Sequence, residues 1–175
     1  MRVSRSTEAL LKLAAFLAGL AFAVPANAEL RPSTPDAIAS AVADCWAAIG
    51  PKFVDQAVLQ QRGWRAGTIS NAGGSAAQAP KIFGKNGSDA LVMLMGTADK
   101  PMCSVAARVE SIEAVSKAAQ AVQKTLVAGD PQVITSRSGK SVVFLSLPRL
   151  ATFDSTGTKD KPAVRIVAGY SAEKK

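Results

Sequence analysis

The stretch from Asp89 to Gly129 constrains the fold most, because it predicts a strand, a turn, a second strand and a helix in succession. Residues 90–95 form a nearly unbroken apolar run. A buried helix gives the same pattern, but six residues between turn-forming residues favour a strand covered on both faces. In residues 102–109 the odd positions are apolar and share one face, since strand side chains alternate. Asp99-Lys100-Pro101 supplies the turn, so a β-hairpin is predicted.

A core helix is predicted directly after this hairpin. Ser111 is placed to cap its N-terminus, and Glu113 favours the positive end of the helix dipole. Gly129 fits just past its end, and Pro131 prevents continuation. Apolar residues recur at intervals of three and four, so they form one stripe. The stripe consists of Ile112, Val115, Ala119, Val122 and Leu126.

The first 28 residues have the features of a cleaved secretory signal peptide. A start with three basic residues is followed by an apolar core at residues 13–24 and by an Ala-Asn-Ala cleavage sequence that ends at Ala28. The apolar core is shorter than the roughly 20 residues that a membrane span needs. We therefore expect a soluble periplasmic or secreted protein that begins at Glu29, with no stable membrane insertion after cleavage.

The remaining chain, residues 29–175, has a length that suits a single domain. Removing the leader's three basic residues and one acidic residue from the totals of 21 and 13 leaves 18 and 12, a net charge of +6. A basic exported chain favours anionic surfaces or acidic proteins as partners. The basic residues are scattered, so a solvated surface is the favoured interpretation, and we expect no nucleic-acid partner.

Two further helices are predicted at the start of this domain. Thr34 can cap the first, and Pro35 suits its first position. Its apolar stripe includes Cys45, and Gly50-Pro51 ends it. A second, short helix is predicted over residues 52–62.

The order of elements predicts an α+β fold with a mostly antiparallel sheet of about five to six strands, on which the two N-terminal helices and the central helix pack. Beyond the central hairpin, strands are predicted at residues 64–70, 132–137, 141–147 and 163–170, and a surface loop at 148–162. Ser138-Gly139-Lys140 predicts a tight hairpin turn. The order is compatible with profilin-like or PAS-like domains, an analogy of topology that gives no function.

A long irregular segment is predicted over residues 71–89, and such loops in compact domains are usually functional or mobile. Within it, Ile82 and Phe83 lie between two cations, Lys81 and Lys85. One interpretation is a binding tip formed by these four residues. The favoured alternative is that Ile82 and Phe83 pack beneath the loop.

The two cysteines of an exported chain predict a disulfide bond. Cys45 lies on the apolar stripe of the first helix and Cys103 on the apolar face of a central strand, so a bond would fasten helix to sheet. It would close a loop of 58 residues, which is worth about 4 kcal/mol in the chain-entropy model. A reactive thiol is the rival interpretation, but it needs a neighbouring base.

The chain contains no histidine, which removes the commonest general base and the commonest metal ligand. Mechanisms of the Ser-His-Asp and Cys-His type cannot be built from it. With two cysteines and no histidine, a tetrahedral zinc site is not expected. We expect no catalytic residues, no metal and no cofactor.

These features favour a non-catalytic exported module that binds another protein of the cell envelope or an anionic surface. A first alternative is a small-ligand sensor or carrier with a pocket between sheet and helix, lined by Met93, Met95 and Met102. These methionines also fit as core filler, which is favoured. A second alternative is an enzyme with a Lys, Asp or Ser mechanism.

Overall fold

The structure, a computed structural model, describes residues 30–67, 81–97 and 100–170. Within them the chain forms three helices and eight strands. The helices are α1 (Pro35–Ala48), α2 (Gln56–Gln61) and α3 (Ile112–Gly129). The strands are β1 (Trp64–Gly67), β2 (Lys81–Lys85), β3 (Ser88–Thr97), β4 (Lys100–Arg108), β5 (Ile134–Ser138), β6 (Ser141–Ser146), β7 (Arg149–Gly157) and β8 (Pro162–Tyr170). The predicted leader and residues 71–80 of the predicted loop lie outside the described residues.

All eight described strands form one antiparallel sheet in the order β1-β2-β3-β4-β8-β7-β6-β5. The segment from β4 through α3 crosses to the far edge of the sheet. The chain then returns strand by strand, from β5 to β8, until β8 pairs with β4. The α+β class and the antiparallel sheet are thus confirmed, whereas the number of strands is eight rather than five to six.

The helix starts follow from capping side chains. The Thr34 hydroxyl accepts a hydrogen bond from the N–H of Ala37, and the Ser111 hydroxyl accepts one from the N–H of Ala114. A hydrogen bond from the Ser111 side chain, helped by a backbone N–H and by nearby Lys117, lowers the pKa of Glu113. Both helices therefore begin where the sequence predicts.

The core lies between the helices and one face of the sheet. Helix α1 packs on β3, β4 and β8, and α3 packs on α1 and β8. The predicted disulfide is confirmed: Cys45 of α1 is bonded to Cys103 of β4, with Cα atoms 5.8 Å apart. The odd-numbered residues 103–109 are all buried, as the alternation predicts.

The buried stripe of α3 differs from the predicted one at its start. Ala118, Val122 and Leu126 are buried, whereas Ile112 is 48% exposed. At 100° per residue, Ile112 lies about 80° away from the mean direction of the three buried side chains. It therefore projects beside the core rather than into it.

Two predicted loops contain strands. Residues 81–85, and residues 88 and 89 of the predicted loop 71–89, belong to β2 and β3, and most of the predicted loop 148–162 is β7. Strand β7 pairs with β6 on one side and β8 on the other, and it buries Ala151 and Phe153. Its Thr, Asp and Ser residues resemble a loop in sequence but are held by these two pairings.

A buried carboxylate joins α1 to the β1 edge of the sheet. Asp44 of α1 is 5% exposed and accepts hydrogen bonds from Trp64 Nε1 at 2.8 Å and Arg62 Nη1 at 2.7 Å. Lys85 Nζ lies 3.5 Å from the same carboxylate and 5.7 Å from the centroid of the Trp64 ring. One side chain thus connects α1, the end of α2, β1 and β2.

We predict that replacing both cysteines by alanine lowers the free energy of unfolding by about 4 kcal/mol, because the unfolded chain loses a cross-link that closes 58 residues. Denaturant unfolding of the oxidised protein and of the C45A/C103A variant measures this difference. Reduced wild-type protein is the matched control, since it lacks the cross-link but keeps both side chains. Equal stability of oxidised and reduced protein would contradict the prediction.

We predict that Asp44→Ala destabilises the fold by about 2–3 kcal/mol, because the buried Trp64 N–H loses its acceptor. Asp44→Asn should cost less, because its amide oxygen can still accept from Trp64. Chemical denaturation of both variants gives the comparison. The control is Asp36→Ala, at an exposed position of the same helix. A loss no larger than that of the control would show that Asp44 does not anchor the edge.

Candidate functional site

The described helices all lie on one face of the sheet, and the other face is not covered by any described element. Cys103 faces α1, and the register places its neighbours Leu94 and Ala168 on the same side. The groove that α3 forms with β5 and β7 is lined by Thr135 and Phe153, which also belong to that side. We call the opposite side, which includes Met102, the open face.

Apolar residues form a row across six strands of the open face, interrupted only at β8, where Gly169 has no side chain. Cross-strand partners give its members in order: Met95, Met102, Gly169, Leu150, Leu145 and Ile134. Five inter-strand spacings make the row about 24 Å long. Ile134 is 61% exposed, and the other side chains of the row are half-buried.

The neighbouring row of the open face is also mostly apolar. Its members in order are Ile82, Met93, Ser104, Val167, Thr152, Val143 and Ser136. An antiparallel sheet with one covered face normally shows polar side chains on the other. Here the two rows together form an apolar band, which is the usual character of a surface that binds a partner.

Charged groups lie at one end of the open face. Arg165 is the cross-strand partner of Asp154, and the Ser141 hydroxyl donates a hydrogen bond of 2.5 Å to Asp154. Arg108 lies closer to that end than Arg165 does, and it donates a hydrogen bond to the carbonyl oxygen of Leu30 at 3.1 Å. The open face is therefore apolar over two rows and polar beyond them, as at protein interfaces with an apolar centre and a polar rim.

A buried hydroxyl lies in the middle of the apolar band. Ser104 is fully buried, and its Oγ has no hydrogen-bond partner among the described residues. Its cross-strand neighbours are Met93 and Val167. A buried hydroxyl without a partner costs about 1–3 kcal/mol.

The four residues predicted as a binding tip belong to strand β2, and the alternation of the strand separates them. Phe83 is fully buried in the core, and Lys85 contacts Asp44. Ile82 lies on the open face, and Lys81 lines a cleft at the end of the sheet. The four residues thus form part of a strand rather than the tip of a loop. Among them, Ile82 is the one that contributes to the apolar band.

A groove runs between α3 and the edge strand β5 on the helix-covered side, with a volume of about 190 Å³. Val115 and Ala119 of α3, together with Val142 and Phe153 of the sheet, form its apolar part. The polar lining residues are Ser116, Gln120, Gln123, Thr135, Arg137, Lys140 and Ser155. Arg137 and Lys140 are the charged residues among them, so the groove is cationic.

A second, shallower cleft of about 310 Å³ lies at the end of β3. Phe53, which is 64% exposed, and Leu94 contribute its apolar surface, and Lys52 and Lys81 contribute positive charge. The three methionines predicted to line a pocket between sheet and helix, Met93, Met95 and Met102, lie on the open face, away from the helices. Met95 also borders this cleft.

Residues 30–67, 81–97 and 100–170 contain no group of three or more Cys, Asp or Glu side chains arranged to hold a metal ion. Within the same ranges, no helix is long and apolar enough to cross a lipid bilayer. The sequence did not identify the open face, because Val143, Leu145 and Leu150 come together through strand register. The consecutive apolar residues of β6, from Val142 to Leu145, were the signal that could have revealed it, because they place apolar side chains on both faces of the strand.

Comparisons with known proteins add no identification: no protein family, no curated protein and no solved structure shows a significant match to this chain.

Proposed function

We propose that this protein is a non-catalytic binding module, exported to the periplasm or secreted, that recognises another protein of the cell envelope through its open face. The observation that carries the proposal is the apolar row from Met95 to Ile134, which runs across six strands and is not covered by any described element. Export is inferred from the leader-like first 28 residues and is compatible with the disulfide.

Three methionines suit such a surface. Met93, Met95 and Met102 are neighbours on β3 and β4. Unbranched methionine side chains adapt to partners of varied shape. The rigid sheet beneath them limits the conformational entropy lost on binding to side chains, which favours affinity.

A protein partner fits better than a purely anionic surface. The band itself is apolar, and the charged residues at its end have both signs, Arg165 beside Asp154. An anionic surface would gain most from a face lined by cations. The partner that matches the open face is a protein with an exposed apolar patch and a polar rim.

The small-ligand alternative has its best support in the cleft beside Phe53, which combines apolar surface with two lysines. It opens widely to solvent and would enclose less of a ligand than typical small-molecule sites do. A catalytic role is not proposed, because the chain lacks histidine. A profilin-like or PAS-like topology stays a prediction and contributes nothing here, since a shared fold does not give a function.

We predict that Met102→Glu and Ile134→Glu each reduce retention of the partner at least about tenfold, because a carboxylate within the apolar band must be desolvated when the partner binds. Immobilised wild-type and variant proteins are compared in capture from an envelope extract of the source cells, with quantitative mass spectrometry. Ile134 is exposed, so its substitution leaves the packing of the isolated protein intact.

Val127→Glu on α3 is the matched control, because it places the same charge at an exposed apolar position on the helix-covered side. The expected result is a set of proteins retained by wild type and by the control and lost from both open-face variants. Equal retention by all four proteins, or no retention by wild type at any salt concentration, would refute the proposal.

A further inference from the structure

The β5 edge of the sheet has features that the proposed role of the open face does not explain. Strand β5 is the outermost strand at this end, and all five of its residues are exposed. Ser138 pairs with Ser141 across a two-residue turn, in which Gly139 has a φ of +59°. Glycine with positive φ at this first turn position is typical of a type II′ hairpin.

This turn determines which backbone groups of β5 point away from the sheet. In a two-residue hairpin the residues that flank the turn form a hydrogen-bonded pair, and such pairs alternate along an antiparallel ladder. Ile134, Ser136 and Ser138 therefore direct their N–H and C=O groups towards β6. Thr135 and Arg137 direct theirs outward, where the described chain provides no neighbouring strand. A strand placed alongside β5 could form about four backbone hydrogen bonds with these two residues.

The side chains of the same two residues line the groove beneath α3. Thr135 and Arg137 lie on the helix-covered side of β5, and both border the groove. An added strand would thus place alternate side chains between itself and α3, over the apolar surface of Val115 and Ala119. A peptide that adds to a sheet edge in this way gains affinity from its main-chain hydrogen bonds and specificity from its alternate side chains.

The charge of the groove selects the occupant. Arg137 and Lys140 are its charged lining residues, and no carboxylate lines it. The nearby Asp154 lies on the open face and is engaged by Ser141. The groove therefore complements negative charge, which Arg137 of the exposed edge strand and Lys140 both provide for.

We propose that the groove between α3 and β5 binds an extended acidic segment of a partner protein, which adds to β5 as a ninth strand. This inference stands apart from the proposed function of the open face, because the two sites lie on opposite sides of the sheet. Failure of one therefore leaves the other in place, and Met102→Glu on β4, far from β5, serves as the open-face control for the groove.

The direct test measures binding of a fluorescent peptide of about eight residues that alternates glutamate and valine, by fluorescence anisotropy with the full disulfide-bonded protein. We predict saturable binding that weakens at least about tenfold for the same peptide methylated on alternate backbone nitrogens, since it cannot complete the hydrogen-bond ladder. A lysine–valine peptide should bind at least about tenfold more weakly than the glutamate–valine peptide.

Two substitutions test the two components separately. Thr135→Pro removes an outward N–H and leaves the pairing of β5 with β6 in place, so it should weaken binding at least about tenfold. The double variant R137E/K140E should lose the glutamate–valine peptide and gain the lysine–valine peptide. The double variant K117E/K124E, at two exposed positions of α3 that do not line the groove, is the charge-matched control, because it changes the net charge by the same amount; it should leave both affinities unchanged.

Several outcomes would overturn the proposal. Equal binding of the methylated and unmethylated peptides would show attraction between charges without strand addition, and absence of binding would exclude the acidic occupant. Dimerisation in light scattering that Thr135→Pro abolishes would identify a second copy of this chain as the occupant instead. Because the methylated peptide changes only the probe, the test holds even where the proline variant fails to fold.

Discussion

The confinement of the helices to one side of the sheet is the constraint on which the structure depends. The bond between Cys45 and Cys103 fixes α1 over the centre of the sheet, and α3 then packs beside α1. At the β1 edge, the Asp44 carboxylate holds Trp64 and Arg62 against the same helix. With the helices held there, alternate residues of every strand either enter the core or face away from it, and the described chain leaves the second set uncovered.

Local patterns were sufficient to predict the parts of the fold that depend on neighbours in sequence. The period of two over residues 102–109 predicted the buried face of β4, and the caps at Thr34 and Ser111 predicted the helix starts. The disulfide was predictable because both cysteines lay on apolar faces that had to meet. The helix starts and the buried face of β4 depend on residues close together in the sequence, whereas the disulfide spans 58 residues and follows from the positions of the two cysteines on such faces.

The parts that were missed depend on pairing between distant strands. Strand β7 contains Thr152, Asp154 and Thr156, whose polarity favours a loop until β6 and β8 supply hydrogen bonds on both sides. Strand β2 is similarly held in the sheet by Phe83, whose side chain is buried in the core opposite Val92. The apolar residues of β6 hint at a second apolar face, but the row itself could not be predicted, because it joins six strands through a register that no local pattern specifies.

The two proposed surfaces differ in the physics of recognition, and β6 connects them. Its residues Val143 and Leu145 belong to the open face, while Val142 lines the groove. Binding to an apolar band gains affinity from the burial of apolar surface and depends weakly on salt concentration. Binding to a cationic groove is accelerated by charge attraction, and its affinity falls as salt screens that attraction. Because β6 is paired on both edges, a strand added to β5 would extend the sheet without displacing the open face. The same rigid sheet can therefore hold one partner on each side, and the dependence of each interaction on ionic strength distinguishes which side is occupied.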